Sequence, residues 1–208
     1  MDGGAGDDTF VGNGGSDNVG GGVGSSIGDT ILVAGSDGPD VFNVSLSGTG
    51  QLLVNINGLV TTYAGFLGGP IAPSGVEQIR VQGLAGNDDL TVVSTNGAIP
   101  IVINYDGGNN GDTLTLTGGT ATSDTYAVGP SVDQGTSTIV IGGVIQIVRF
   151  NALEPVLDLV AGPLAVVATN ADNAINYMQG SVAANGLVSI DGFETIEFSN
   201  KTTLTINA

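Results

Sequence analysis

Apolar residues in this chain come in short runs that alternate with polar ones or cluster as β-branched pairs. Gly, Asn and Asp bound nearly every run. DTILV (29–33), LLVNIN (52–57), LTVV (90–93), IPIVINY (99–105), DTLTLT (112–117), STIVI (137–141) and TLTINA (203–208) are examples. A period of two in Val, Ile and Thr predicts half-buried strands of about three to seven residues. Helical spacing is nearly absent. FNALEPVLDLVA (150–161) has room for one helical turn, and Pro155 interrupts it. The pattern predicts an all-β chain.

The same order of elements recurs. DTILVAGSDGPDVFNV (29–44), DTLTLTGGTATSDTYAV (112–128) and PLAVVATNADNAINYM (163–178) each read strand, turn, strand. Each is followed by a strand ending in a turn (VNING at 54–58, IVIGG at 139–143, VSIDG at 188–192) and then by a third type of strand (VEQIRV at 76–81, VIQIV at 144–148, FETIEF at 193–198). The boundaries that follow are a glycine-rich array over 1–28 and three degenerate β-repeats over 29–111, 112–161 and 162–208. The first carries a surface insertion at 58–75. Units of this size bury no apolar face alone and must stack on neighbours. The expected fold is an elongated parallel β-solenoid, a β-roll or β-helix, of short strands and Gly/Asp/Asn-rich turns.

Composition narrows the chemistry. Of 208 residues, 20 are acidic and three are Lys or Arg, giving a net charge of −17, with no His and no Cys. Phosphate backbones cannot be neutralised, so nucleic acid is excluded as a partner, and anionic membrane surfaces are disfavoured. Soft-metal sites, thiol catalysis and Ser-His-Asp arrangements lack their residues. The longest apolar run, IVIGGVIQIV (139–148), is too short for membrane insertion. Acidic, cysteine-free, glycine-rich composition suits a secreted or surface bacterial protein. Met1 is followed by Asp2 and glycines rather than by a leader peptide, so the chain reads as a piece of a longer extracellular protein.

The acids are uneven: sixteen are Asp and four are Glu (Glu77, Glu154, Glu194, Glu197), and most Asp lie beside Gly or Asn. That is the composition of turns and of oxygen-ligand loops for a hard cation, calcium before magnesium. The bland alternative is turn chemistry without metal. In GGAGDDTFV (3–11), Gly3, Gly4, Gly6, Asp8 and Phe10 resemble the calcium-binding nonapeptide of repeats-in-toxin (RTX) proteins, G-G-x-G-x-D-x-U-x. GNGGSDNVG (12–20) continues in register with Gly15, Asp17 and Val19; GGVGSSIGD (21–29) starts correctly but has Ser26 where Asp belongs. Single echoes follow at Gly35-x-x-Gly38-x-Asp40, at Gly83-x-x-Gly86-x-Asp88 and around Gly107, Gly108 and Asp112, with aspartates 48 and 24 residues apart. The resemblance implies calcium held by backbone carbonyls and Asp carboxylates, with loops eighteen residues apart sharing an ion. Asp8 then looks to 21–26, and Asp17 to Asp37 and Asp40. The candidate metal residues are Gly4, Gly6, Asp8, Gly15, Asp17, Asp37, Asp40, Asp88 and Asp112. Turns without metal remain the alternative for the later echoes.

Three functions compete. The first is a non-enzymatic, calcium-stabilised structural segment, partnered by neighbouring repeats or polymerised with its own copies, in an adhesin stalk, surface layer, matrix or filament. The second is a parallel β-helix enzyme acting on acidic polysaccharide, for which only Arg80, Arg149 and Lys201 could supply the basic residue. The third is a carbohydrate- or ice-binding face made of Thr rows such as DTLTLTGGTAT (112–122). The absence of any catalytic cluster favours the first, and no catalytic residue is assigned.

Overall fold

The computed structural model describes residues 8–11, 29–65 and 75–208, and the backbone of 15–18. Among these the chain is all-β: nineteen strands in two sheets and no helix. The chain moves between the two sheets in strict alternation. Strands β1 (Thr9–Val11), β3 (Thr30–Ala34), β7 (Gln78–Gln82) and β9 (Val102–Asp106) lie in the nine-stranded sheet. Between them, β2 (Gly15–Asn18), β4 (Val41–Leu46) to β6 (Leu59–Ala64), with β5 (Leu52–Ile56) in the middle, and β8 (Asp89–Val93) lie in the ten-stranded sheet. After β10 (Thr113–Thr117) in the larger sheet come β11 (Ser123–Val128), β12 (Gln134–Ile141) and β13 (Val144–Asn151) in the smaller. Next are β14 (Val156–Asp158) in the larger and β15 (Gly162–Val167) in the smaller. The chain finishes with β16 (Ile175–Gln179), β17 (Gly186–Ile190) and β18 (Ile196–Phe198) in the larger sheet and β19 (Lys201–Asn207) in the smaller.

Parallel neighbours need a connection that returns the chain to its starting edge. Here the strand in the opposite sheet is that connection. The period-two pattern then builds straight columns of side chains between the sheets. Phe10, Ile31, Ile79, Ile103 and Val148 are register partners in the nine-stranded sheet. Phe42, Leu90, Leu114, Val156 and Ile196 form the matching column in the other. All ten are buried, and each contributes roughly 1.5–3 kcal/mol by leaving water.

The sheets are mixed, which corrects the expectation of a purely parallel arrangement. Three antiparallel meanders, β4–β5–β6, β11–β12–β13 and β16–β17–β18, each take the place of a single strand. Tight turns cause this. Asn57-Gly58, both at positive φ, joins β5 to β6, and Gly142-Gly143 joins β12 to β13, as two-residue hairpins require. The third type of strand is accordingly not one structural class. VIQIV opens β13 and FETIEF closes with β18, each ending a meander, whereas VEQIRV leads into β7, a single strand of the other sheet. The place equivalent to β13 and β18 is taken by β6, inside the stretch expected as a surface insertion (58–75). Its Tyr63 is buried, and 66–74 lie outside the described residues.

Candidate functional site

The residue just before β4, β8 and β10 is Asp40, Asp88 and Asp112, and the strand registers set these three side by side. Asp88 Oδ1 accepts the Asp40 amide at 2.7 Å, and Asp112 Oδ1 accepts the Asp88 amide at 2.8 Å. The Asp40 carbonyl in turn accepts the Asp89 amide, and the Asp88 carbonyl the Thr113 amide. The Asp88 and Asp112 carboxylates therefore extend the sheet ladder one residue beyond their strands. A second column stands in the other sheet before β1, β3 and β7. Asp29 Oδ1 accepts the Asp8 amide at 2.8 Å, and Glu77 Oε2 accepts the Asp29 amide at 2.9 Å.

Glycine makes the turns possible by its lack of a side chain. A Cβ on Gly83 would stand 2.5 Å from Asp88 Oδ2 and 2.2 Å from the Gly107 carbonyl oxygen. One on Gly107 would stand 2.7 Å from Asp112 Oδ2 and 2.2 Å from the Ala152 carbonyl oxygen. The Gly five residues before each Asp is thus fixed by close packing between successive turns.

The carboxyls differ along the column. Burial pushes Asp40 up, but the Ser36 amide, the Asn57 side chain and the Ser36 hydroxyl outweigh it and leave it below the usual carboxylate range. Asp88 and Asp112 are raised, first by burial and further by neighbouring carboxylates, against the pull of one backbone amide each. The Oδ2 atoms of Asp8, Asp29, Asp88 and Asp112 are buried with no hydrogen-bond partner. Unpartnered anionic oxygens suit a hard cation. Among the described residues, however, no three His, Cys, Asp or Glu side chains converge as a metal-holding group. Calcium at such a turn would draw its remaining ligands from backbone carbonyls and water.

The structure brings together Asp40, Asp88 and Asp112 from the expected set. It places Asp8 in the separate column with Asp29 and Glu77, and leaves Asp37 exposed in its turn, outside both columns. Gly15 and Asp17 pair through the backbone with Thr61 and Tyr63 of β6. Gly4, Gly6 and the 21–26 loop lie outside the described residues. Asp29 and Glu77 were not among the expected ligands. For Asp29 the signal was present in the Asp-Thr pairs at 8–9, 29–30 and 112–113.

The three cations separate into two places. Arg80 and Arg149 are exposed and flank Asn104 in register across β7, β9 and β13. With Gln134 and Thr136 they line a groove of about 350 Å³. Lys201 is buried elsewhere. Its Nζ lies 2.8 Å from Asp124 Oδ2 and 2.7 Å from Asp158 Oδ1, with all three side chains at most 4% exposed. It also donates to the Val160 carbonyl at 2.7 Å. Burial, the Asp158 charge and a hydrogen bond with Asp158 push the Asp124 carboxyl up to about 7, against the opposing pull of Lys201. Sequence reading missed this cluster, because Asp124, Asp158 and Lys201 are far apart in the chain.

No family model, no curated protein and no solved structure matches this chain.

Proposed function

We propose that the chain is a non-enzymatic structural segment of a secreted or cell-surface bacterial repeat protein. It is a two-sheeted β-solenoid, stabilised by calcium at RTX-like turns near residues 3–19, and serves in a stalk, surface layer, matrix or filament. The observation that carries this reading is the strict alternation of the chain between two sheets, with parallel pairing from one passage to the next. Each passage covers its apolar face only by stacking on its neighbours, which is how repeat arrays extend. Among the described strands, β1 and β19 stand at the two ends of one sheet. Such edges accept a further strand, from flanking repeats or from a second copy. Support for calcium comes from Asp8: it is the motif aspartate, and its Oδ2 is buried without a partner.

Hydrogen exchange on the whole chain tests the calcium reading. Extracellular calcium sites work at about 10⁻⁴ to 10⁻³ M, so millimolar calcium contributes on the order of 1 kcal/mol per site. The expected result is calcium-dependent protection of residues 3–28, lost in Asp8→Ala, with residues 100–208 little changed. Equal exchange in EDTA and in millimolar calcium overturns the calcium reading. Small-angle scattering from the same samples is expected to give an elongated particle; a compact globule overturns the solenoid.

A further inference from the structure

Asp158 occupies a position built for an apolar side chain. Its register partners in β10 and β18 are Leu116 and Phe198, and the same column continues through Val92 and Val44. An acid there, 1% exposed, is costly unless a cation answers it. The answering Lys201 comes from β19, across β15 from β11, where Asp124 is equally buried. One amine and two carboxyls are thus locked together in a dry interior. None of them serves the calcium turns.

We infer that the folded chain forms an amide bond between Lys201 Nζ and the side-chain carboxyl of Asp124, with Asp158 accepting the displaced proton. The hydrogen bonding assigns the two acids different roles. Asp158 Oδ1 lies against Lys201 Nζ and also accepts the Val160 amide at 3.0 Å, the surroundings of a carboxylate acceptor. Asp124 Oδ1 is buried without a hydrogen-bond partner, as is Asp158 Oδ2, and burial with the Asp158 charge pushes the Asp124 carboxyl up to about 7, so part of the population carries a proton there at neutral pH. A protonated carboxyl has an electrophilic carbon. Nζ lies 2.8 Å from Asp124 Oδ2, so the fold holds the amine in direct contact with the carboxyl it would attack, which is the entropic part of bringing two reacting groups together.

The step balances within the cluster. Asp158 takes one proton from the Lys201 ammonium. The freed amine lone pair attacks Asp124 Cγ, and the N–C bond forms. The hydroxyl of the tetrahedral carbon leaves as water, taking a proton from the nitrogen as the C–O bond breaks. An ammonium, a carboxylate and a carboxyl become an amide, a neutral carboxyl and one water, with no co-reactant. The burial that makes the ion cluster expensive favours this outcome, since no formal charge remains inside. Exclusion of water also suppresses the reverse hydrolysis. The product ties β19, the last strand, to β11 across 77 residues of chain.

Intact mass of the purified whole chain under denaturing conditions tests this. The expected mass is one water below that calculated from the sequence, and digestion yields a branched peptide joining Lys201 to Asp124. Lys201→Met and Asp124→Ala restore the full mass. Asp158→Ala keeps both reacting groups but slows or abolishes the loss. Dehydration at an Asp-Gly step such as Asp106-Gly107 also removes one water, but hydroxylamine cleaves that product and leaves an amide intact. The wild-type mass and peptide map decide the matter even where a variant fails to fold. A full wild-type mass after prolonged incubation of the folded chain overturns the inference. So does a water loss that is hydroxylamine-sensitive or maps to another residue pair.

Discussion

Two regions bury carboxylates in opposite ways. In the column before β4, β8 and β10, Asp88 and Asp112 are each answered by the amide of the aspartate on the neighbouring strand, and Asp40 by Ser36 and Asn57. In the cluster between β11, β14 and β19, two acids are answered by one ammonium. The first solution is local and repeatable, because the same Gly-to-Asp turn recurs wherever strands stack. The second is singular. It needs three segments brought together by the finished fold, and it uses the one Lys in a chain with net charge −17. Backbone amides suffice for an acid at a strand end, whereas an acid inside an apolar column needs a cation or must lose its charge.

The largest effect separates the two regions directly. Lys201→Ala leaves two buried carboxyls without their cation, or without the amide that replaces it, and breaking a buried ion pair by removing one partner already costs about 3–5 kcal/mol. Chemical denaturation should show that loss. A change under about 1 kcal/mol would place the cluster on a par with surface pairs.

A smaller effect tests the columns. Asp88→Ala removes the acceptor of the Asp40 amide and orphans a buried donor, a cost of about 1–3 kcal/mol. Asp88→Asn keeps an acceptor oxygen while removing a charge that burial already disfavours, so its stability in EDTA should stay within about 1 kcal/mol of the parent. Urea midpoints of the two variants give the comparison. Equal losses would mean that the charge of the column, not its hydrogen bond, holds the turns.

The smallest effect concerns Glu194, at the turn into β18. Burial, and then the charges of Glu154 and Asp133, push its carboxyl up to about 7. A folded-state value above the unfolded one means that the folded chain holds the extra proton. The stabilisation is complete below about pH 4 and fades as pH rises through about 7. After discounting for partial exposure, the change is on the order of 1 kcal/mol. Glu194→Gln should flatten that part of the stability–pH curve. An unchanged slope would assign the titration to another group.

Much of the fold was legible along the chain. Period-two alternation in Val, Ile, Leu and Thr named the strands, and the recurring glycine-then-aspartate turns picked out Asp40, Asp88 and Asp112. Both signals are local: side-chain direction alternates in any strand, and a turn that needs Gly and an acceptor needs them at fixed offsets. The meanders were partly legible too, because Asn57-Gly58 and Gly142-Gly143 are hairpin turns by composition, although nothing along the chain told which strand would cross to the other sheet.

What the sequence determined by itself was the all-β class, the acidic turns and the impossibility of His or Cys chemistry. Only the assembled fold shows that Tyr63 is core rather than loop, that Asp8 stands with Asp29 and Glu77, and that Lys201 meets Asp124 and Asp158. The reason is physical. Strand identity follows from neighbours in the chain, while the company a buried charge keeps follows from how strands up to 77 residues apart are set against one another. That arrangement is fixed by the sum of all the apolar columns at once.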